Sequence, residues 1–387
     1  AAISRRYRER ENHISSDSWP IYISLQKDGI LFKMRRTQDL PDKESATMFF
    51  QDCKLAHQAQ ITGISHSVKE ILPPDLLDLT QLQKEANIRY GYTASEVYDI
   101  AQSLYEKKLI SYPRTSSRYL TEDVFDSLSP IMTRLLSWEL FPVAKGTGGI
   151  DISSLSRHVI SAEKANVHHA IIITGIRPGN MSEKEMQVYR LVAGRMLEVF
   201  MAPCRIETTN VEAVCAAQHF KAEQTRIIEA GWHDVFMHSD MIPTSGYSVK
   251  ELPEVEKGDT LNVCGCNMVH KKQLPVDPFT DAELVEYMEL NGLGTVSSRT
   301  NIIRTLVNRK YIRYSGKYIV PTPKGMFTYE TIRGKKIADT SLTADWEKQL
   351  TGLESGMITG QDFLNRIRTL AKEMTDDIFN TYSTKEE

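Results

Sequence analysis

Hydrophobic and polar residues alternate along the first part of the chain, as they do in strands with one buried face. Trp19, Ile21, Ile23 and Leu25 occupy every second position, and Asp28-Gly29 separates them from a second apolar run. Similar patterns return later, in threonine-rich and valine-rich runs around residues 207–214 and 260–264. The pattern therefore predicts β structure over residues 17–70 and again over residues 205–275.

The stretch between these β segments has the periodicity of helices. The pattern changes after Pro73-Pro74 and stays mostly helical to about residue 201. Two capping-box pairs, Thr93 with Glu96 and Ser182 with Glu185, mark helix starts. The first of these helices has one apolar face, formed by Val97, Ile100, Ala101, Leu104 and Tyr105. This order predicts one β domain that carries an inserted helical domain, within a multidomain α+β fold.

The pattern after Pro278 is typical of a winged helix. Thr280 and Glu283 form a third capping-box pair, and a Gly-Leu-Gly turn leads to a second helix. Its inward residues are predicted to be Ile302, Ile303, Leu306 and Val307. A hairpin with Ser315-Gly316 as its two-residue loop follows as the wing. The stretch from Leu342 predicts two more helices, interrupted near Gly356.

Composition and charge narrow the classes of function. The chain has 387 residues, of which 41% are hydrophobic, and no apolar run approaches the ~20 residues of a membrane-spanning helix. Five cysteines favour a reducing compartment, and Cys264-Gly-Cys266 lacks the second pair that a zinc site requires. The net charge of −3 is unusual for a nucleic-acid binder, so DNA affinity would depend on local clusters. The candidate clusters are Arg5, Arg6, Arg8 and Arg10, and Lys107, Lys108, Arg114 and Arg118.

Tyr112 is the strongest candidate for chemistry. It ends a short strand-like run, Leu109-Ile110-Ser111-Tyr112, and is followed by Pro113 and Arg114. A phenol, with a pKa of about 10, attacks phosphorus at neutral pH only when cations favour its phenolate and stabilise charge on the phosphate. Alone, Tyr-Pro-Arg is more often a turn with a surface tyrosine, so the interpretation depends on the rest of the chain.

Three sequence blocks resemble the type IA DNA topoisomerases, particularly the topoisomerase III branch. The first lies between Leu79 and Leu120 and contains Ala-Gln-Ser-Leu-Tyr-Glu-Lys-Lys-Leu-Ile-Ser-Tyr-Pro-Arg-Thr at residues 101–115. The second, Val-His-His-Ala-Ile-Ile-Ile-Thr at residues 167–174, is similar to the histidine motif of the family. The third, Asn-Gly-Leu-Gly-Thr-Val-Ser-Ser-Arg at residues 291–299, is similar to its downstream glycine motif. Because all three blocks occur in the same order as in the family, the resemblance to it is highly specific.

The resemblance implies roles for individual residues. Tyr112 matches the nucleophile that forms a 5′-phosphotyrosine, Arg114 the cation beside the phosphate, and His168 the histidine that assists cleavage. The residues expected to contact DNA are Ser116, Arg118, Lys164, His169, Thr295, Ser298 and Arg299. His169 would point away from His168 if this run is a strand. The implied enzyme cuts and rejoins single DNA strands without ATP and passes strands through the break, for relaxation or decatenation.

The resemblance also implies a domain plan. Its parts are a truncated arch-domain helix end at 1–16, halves of a β hinge domain at 17–84 and 204–275, a helical nucleophile domain at 85–203, and a partly detached winged-helix-like DNA-binding domain at 276–387. The hinge and helical domains would form part of a toroidal arch. The family begins with a Toprim domain that holds a glutamate and an acidic Mg²⁺ cluster, so we expect this chain to be a fragment that binds no metal and is inactive alone.

The expected partners are single-stranded DNA and the Toprim domain, in cis or in trans, and no membrane. The expected location is the bacterial cytoplasm, in association with the nucleoid.

The chain departs from the family motifs at several positions. Ser116 stands where the motif usually has Asp, so the acidic group that orients the arginine is lost. Val296 stands where the topoisomerase III pattern has Glu, whereas Ser298 keeps a hydroxyl and Arg299 is retained. The loss of the Asp at position 116 puts in doubt any role that this acid has in the family around the arginine and the phosphate.

Two other classes of function compete with this reading. One is a winged-helix DNA-binding protein without catalysis, in which Tyr112 is structural. Binding alone would not require Tyr-Pro-Arg together with a histidine motif. The other is a tyrosine recombinase or relaxase, which needs an Arg-His-Arg set or a three-histidine metal cluster that the sequence lacks.

Overall fold

The computed structural model describes residues 1–138, 140–141, 150, 155–165, 168–236 and 245–383, so Val167 of the histidine motif lies outside it. Its helices are α1 Ala2–Glu11, α2 Lys43–Leu55, α3 Leu79–Tyr90, α4 Ala94–Glu106, α5 Glu122–Asp126, α6 Leu128–Ser137, α7 Glu183–Glu198, α8 Asp281–Leu290, α9 Val296–Asn308, α10 Pro323–Ile332, α11 Thr340–Glu354 and α12 Gly360–Ser383. Its strands are β1 Asp17–Ser18, β2 Ile21–Lys27, β3 Ile30–Arg36, β4 Gln58–Ile71, β5 Cys204–Cys215, β6 Gln218–Glu229, β7 Thr260–Met268, β8 Lys271–Lys272, β9 Ile312–Ser315 and β10 Tyr318–Pro321.

A closed barrel forms from strands on both sides of the helical insertion. Its strands follow the order β2-β3-β6-β5-β4-β7 and pair antiparallel. Ile21, Ile23 and Leu25, predicted to face inward, are fully buried in the barrel core. The Asp28-Gly29 hairpin is confirmed, because β2 and β3 meet at that loop and both residues have positive φ. Strand β4 pairs along its length with β5, so both β segments share one barrel.

Helices α3 to α7 pack around a second apolar core between the two barrel segments. Both capping boxes predicted here are confirmed, at the starts of α4 and α7. Helix α3 begins at Leu79, which lies before the predicted domain boundary at residue 85. The boundary is displaced because Leu76, Leu77, Leu79 and Leu82 are buried in the helical core.

The buried side chain of Trp232 closes the junction between the barrel and the helical unit. It packs against Ile71, where the chain leaves the barrel, and against Cys204, where the chain returns. Its indole N–H donates to the carbonyl of Ile71 at 2.8 Å. The two chain crossings are thus tied together by one residue.

Helix α1 shares a third core with the C-terminal helices. Ile3 packs in the same cluster as Phe279 and Leu284, and the Arg6 guanidinium lies 4.0 Å from the Phe279 ring centroid. Arg8 pairs with Glu330 at 2.7 Å. Helix α1 therefore packs into the C-terminal unit, and its assignment as the end of a truncated arch-domain helix stays a prediction. Arg6, Arg8 and Arg10 each pair with a carboxylate of the C-terminal unit, whereas the side chain of Arg5 is exposed.

The C-terminal unit is not detached from the helical unit, contrary to the prediction for residues 276–387. The Gln83 amide donates to the Thr300 hydroxyl at 2.9 Å in a buried contact. Around it, Lys84 pairs with Glu286 at 2.6 Å and Arg304 with Asp99 at 2.8 Å. Polar and charged residues on both surfaces therefore fix the two units together.

The order of elements after Pro278 agrees with the prediction. The Thr280–Glu283 capping box starts α8, α9 follows, and β9 pairs with β10. The hairpin loop is Gly316-Lys317, one residue later than predicted, because Ser315 pairs with Tyr318 and Gly316 takes the positive φ. Helices α11 and α12 are separated around Gly356, as predicted. Within the described ranges, no helix has the length and apolar character needed to cross a bilayer.

Arg195 gives a test of the helical core. It is 5% exposed, and its guanidinium donates to Glu85 at 2.7 Å and to Glu198 at 2.9 Å. Arg195→Met would leave both carboxylates without this counter-charge, so we expect the free energy of unfolding to fall by about 3–5 kcal/mol in urea titrations. Arg226→Met, at an exposed pair with Glu207, should cost less than about 1 kcal/mol. Equal losses for the two variants would contradict this account of the core.

Candidate active site

Three short segments whose apolar residues belong to the helical core hold the predicted nucleophile. They are residues 77–79, 109–120 and 170–174, and we call the backbone hydrogen bonds between them the seam. Ile110 pairs with Ile173, and Leu77 with Ile171, in isolated antiparallel bridges. The Ser111 N–H donates to the Ile172 carbonyl at 2.8 Å. The run predicted as a strand is therefore a set of single bridges, because the three short segments meet without pairing along their lengths.

Tyr112 and His168 lie in contact at the end of the seam. Their ring centroids are 4.6 Å apart, with an interplanar angle of 48°. The Thr115 hydroxyl donates to the His168 carbonyl at 3.1 Å, which fixes the histidine backbone relative to the tyrosine segment. Tyr112 is half-buried and His168 is exposed. The Tyr112 ring contacts His168 and Tyr105, and no hydrogen bond of its hydroxyl is found among the described residues.

A neutral side chain of helix α4, Gln102, accepts a hydrogen bond from Arg114. The Arg114 Nη2 donates to Oε1 of Gln102 at 3.2 Å, and its guanidinium lies 5.1 Å from the centroid of the Tyr98 ring. Its Nε is buried and has no hydrogen-bond acceptor among the described residues. Gln102 and Tyr98, both neutral, thus position the Arg114 guanidinium.

Three further predicted DNA contacts flank the nucleophile. Ser116 is exposed. Lys164 is also exposed, with its ammonium 4.6 Å from the Tyr119 ring centroid and 3.3 Å from the Tyr119 hydroxyl. His169 is half-buried, and its Nδ1 donates to the Ala170 carbonyl at 2.7 Å. Of these side chains, Lys164 offers the most accessible charge.

Arg118, which the sequence predicts to contact DNA, is half-buried and bound to Asp78. Its Nε donates to Oδ2 of Asp78 at 2.7 Å, and Asp78 is 1% exposed. Burial opposes the charge of Arg118, yet nearby Asp78 holds its pKa above the ordinary value. Asp78 also accepts from the Gln81 N–H and caps α3. The placement is structural, because this arginine neutralises a buried carboxylate.

The glycine motif contributes hydroxyls and one buried arginine. Thr295 and Ser298 stand at the N-terminus of α9, with their hydroxyl oxygens 3.2 Å apart, and Thr295 is exposed. Arg299 is 8% exposed and reaches Glu289 at 3.5 Å and the Thr80 hydroxyl at 3.2 Å. Arg299 therefore joins α9 to α8 and α3, and its predicted phosphate contact stays a prediction.

One face of α4, which the sequence pattern does not predict to be functional, contacts the segment that carries Tyr112. Tyr98, Gln102 and Tyr105 contact Arg114 and Tyr112, and the Tyr105 ring lies edge-on to Tyr112 at 5.4 Å. Tyr105 was assigned to the apolar face, yet it is 39% exposed. Spacing of four and seven residues places such side chains on one helix face, which is the signal that could have identified them.

The described residues offer no site for a metal ion. Within the ranges that the structure covers, no group of three or more His, Cys, Asp or Glu side chains lies close enough to hold one. The Mg²⁺ implied by the resemblance therefore has no ligand set in this part of the chain.

Comparison with known sequences gives a consistent family. A sequence model described as DNA topoisomerase matches residues 1–365. The chain is 31% identical over 344 residues to DNA topoisomerase 3 of Bacillus licheniformis, covering 83% of this chain and 47% of that protein. It is 30% identical over 383 residues to DNA topoisomerase 3 of Shouchella clausii, covering 91% of this chain and 51% of that protein. The chain thus spans about half the length of the curated relatives it matches.

A solved structure has a similar fold. The full-length topoisomerase I from Thermotoga maritima superposes with a TM-score of 0.74 at 21% sequence identity. The match covers 96% of this chain and 61% of that one. At this identity the likeness concerns the fold, which is multidomain α+β as predicted.

Glu185 gives a test of how the segment before Tyr112 is braced. Its carboxylate accepts from the Lys107 ammonium at 2.6 Å and from the Ser103 hydroxyl at 2.7 Å. Lys107, with help from the Ser182 backbone and Ser103, lowers the pKa of Glu185 from 4.5 to about 2. A depressed pKa means that this stabilisation is present above pH 4.5 and is lost as the pH falls toward 2.

We therefore expect Glu185→Gln to be less stable than the wild type near neutral pH, with the difference narrowing below pH 4.5. Urea unfolding at a series of pH values measures it. Glu183→Gln, in the same turn of α7, is the control and should show a small difference throughout. A Glu185→Gln difference that does not change with pH would contradict the bracing role.

Proposed function

The chain belongs to the DNA topoisomerase family, in its type IA, topoisomerase III-like branch, and on this premise we propose that it carries the nucleophile of an enzyme that cuts and rejoins single DNA strands. The observation that carries the proposal is the 4.6 Å contact between the rings of Tyr112 and His168. Arg114, two residues after Tyr112, is positioned by Gln102. Strand passage through the transient break would relax or decatenate DNA.

The proposed reaction is a transesterification at a backbone phosphate. The Tyr112 oxygen attacks phosphorus and loses its proton. The bond from phosphorus to the departing 3′ oxygen breaks, and that oxygen takes up a proton. The products are a 5′-phosphotyrosine and a free 3′ hydroxyl. Because one ester replaces another, the reverse reaction reseals the strand without ATP.

Arg114 is proposed to stabilise the charge that develops on the phosphate. A planar guanidinium offers paired N–H donors to phosphate oxygens, and fixed donors at this place are the main catalytic requirement. Arg114 lies two residues after Tyr112, and its Nη2 donates to the neutral amide oxygen of Gln102. Arg114 therefore has the chemistry and the position for this role.

His168 is proposed to assist beside the nucleophile. An exposed imidazole in contact with the Tyr112 ring can donate to the phosphate or transfer protons near neutral pH. This role requires the seam, which holds Tyr112, and the Thr115 hydroxyl, which holds the His168 carbonyl.

The DNA strand is proposed to run along a surface with few free cations. Lys164 contributes an exposed charge, and Ser116 and His169 flank the nucleophile. At the start of α9, Thr295 and Ser298 present hydroxyls where the helix dipole favours a phosphate.

Cleavage is further proposed to require a Toprim domain, in cis or as a separate polypeptide. In the family that the chain resembles, that domain holds Mg²⁺, for which the described residues provide no ligands. The proton for the departing oxygen is assigned to the same domain. The proposed place of action is the bacterial cytoplasm, next to the nucleoid.

One prediction of the proposed function concerns activity. The chain alone should not relax plasmid, and adding the Toprim domain with Mg²⁺ should restore relaxation of negatively supercoiled DNA. In the restored enzyme, Tyr112→Phe should abolish activity because the nucleophile is removed, and Arg114→Ala should slow it by about 10²–10³-fold through loss of transition-state stabilisation. Tyr22→Phe, at a half-buried tyrosine of the barrel, is the control and should stay active.

Relaxation by the isolated chain would contradict the requirement for a second domain. An active Tyr112→Phe enzyme would overturn the mechanism. Binding to DNA without any cleavage in the combined enzyme would favour the non-catalytic DNA-binding alternative.

Another prediction of the proposed function concerns DNA binding. The chain should bind a single-stranded oligonucleotide weakly and with marked salt dependence, measured by fluorescence anisotropy at several salt concentrations. Lys164→Gln should reduce the slope of log affinity against log salt by about 0.7, as expected for one lost phosphate contact. Arg8→Gln is the matched control, because Arg8 is held by Glu330 and should contribute no such contact. An affinity indifferent to salt would contradict the phosphate contacts.

A further inference from the structure

The barrel closes between β3 and β6 through very few residues. On one side, β3 pairs with β2 from Ile30 to Arg35. On its other side it pairs with β6 only at Arg35 and Arg36, and the two strands then diverge. Among the described residues, residues 30–34 of β3 therefore have no backbone partner on the side of β6.

The hairpin of β2 and β3 determines which backbone groups are left over. Lys27 and Ile30 flank its two-residue loop and form a hydrogen-bonded pair, so Ile30 turns its N–H and C=O towards β2. Alternate residues of an antiparallel pair face the other way. In β3 these are Leu31, Lys33 and then Arg35, which meets β6. The N–H and C=O groups of Leu31 and Lys33 therefore point out of the open edge.

A groove of about 450 Å³ lies along this edge. Residues 246–251 form its opposite wall and are held to β6, because the Val249 N–H donates to the Glu223 carbonyl at 2.8 Å. The two walls meet where Nη1 of Arg35 donates to the Gly246 carbonyl at 3.4 Å. Apolar side chains also line the groove, among them Phe32 of the barrel core and Leu31, which is 59% exposed.

The groove carries an excess of uncompensated positive charge. Lys33 on β3 and Lys250 on the opposite wall are exposed, and neither has an ion-pair partner in the described part of the chain. Arg35 is neutralised by Asp39 at 2.6 Å. One free carboxylate, that of Glu251, lies in the lining against the two free lysines. This edge is therefore locally basic although the whole chain has a net charge of −3.

We propose that this edge binds an extended acidic segment of a partner protein, which lies in the groove and adds to β3 as a further strand. The free N–H and C=O groups of Leu31 and Lys33 supply main-chain hydrogen bonds, which are the source of affinity in strand addition. Because side chains alternate along a strand, the segment would place apolar residues towards Phe32 and acidic residues beside Lys33.

Two other occupants fit the edge less well. A second copy of the chain would bring lysines of two β3 edges together, and an edge lysine disfavours such pairing. A single strand of nucleic acid would use the lysines but has no peptide groups to match the free N–H and C=O groups of β3. The proposed surface lies in the barrel and does not depend on the cleavage activity.

The test uses the full chain and a labelled peptide of eight residues that alternates valine and glutamate, with both termini blocked. Fluorescence anisotropy measures its affinity, and hydrogen-exchange mass spectrometry locates it. Near saturation, exchange in residues 30–36 should slow by about tenfold. Residues 64–70 of β4, which pair on one side only with β5, are the internal control and should not change. A peptide that alternates valine and lysine should bind at least about tenfold more weakly.

Two substitutions test the backbone and the charge separately. Leu31→Pro removes the outward N–H and is compatible with an edge strand, so affinity should fall by about fivefold or more, whereas Leu31→Ala keeps this donor and should bind more tightly than Leu31→Pro. Lys33→Glu, a surface change that spares the fold, should weaken binding by about tenfold. Lys69→Glu, at an exposed lysine of β4, is the matched control and should bind as the wild type does. If Leu31→Pro lowers the melting temperature, Lys33→Glu decides.

Four results would overturn the proposal. The first is unchanged exchange in residues 30–36 at saturating peptide, and the second is equal affinity for the glutamate and lysine peptides. The third is protection of residues 30–36 by a single-stranded oligonucleotide but not by the peptide, which would assign the groove to nucleic acid. The fourth is protection that rises with protein concentration without peptide, which would assign the edge to a second copy.

Discussion

The seam of backbone hydrogen bonds is the constraint on which the site depends. It joins residues 77–79, 109–120 and 170–174, which are far apart in sequence, through bridges at buried isoleucines and leucines. Buried backbone groups must find partners, and here each segment satisfies groups of the others. Tyr112 and His168 lie at the end of this arrangement, which fixes their positions relative to each other. Without the seam, the proposed nucleophile and its histidine would sit on independent loops.

Charge is distributed differently at structural and at proposed catalytic arginines. Arg118 and Arg195 each meet carboxylates that are largely buried, and Arg299 meets Glu289, so these guanidinium groups hold elements together. Arg114 differs, because its side-chain hydrogen bond goes to the neutral amide of Gln102. Among these arginines, only the proposed catalytic one is positioned by neutral groups alone in the described part of the chain.

Local patterns made much of the fold predictable. The capping boxes at Thr93, Ser182 and Thr280 and the Asp28-Gly29 hairpin are encoded by neighbouring residues, and each is found as predicted. The partner of α1 was not predictable, because its contacts with Phe279 and Glu330 join distant parts of the chain. The same limit applies at the site. The Tyr-Pro-Arg run was recognised from local sequence, whereas the burial of Arg299 and the support from Gln102 depend on packing between helices.

The central claim is that Tyr112 itself becomes bonded to DNA. The most direct test is to trap the cleavage complex of the combined enzyme on an oligonucleotide, digest it with protease and nuclease, and identify the modified peptide by mass spectrometry. The account predicts a nucleotide joined through its 5′ phosphate to the peptide that contains Tyr112. A nucleotide on another tyrosine, such as the neighbouring Tyr105 or Tyr119, would contradict it.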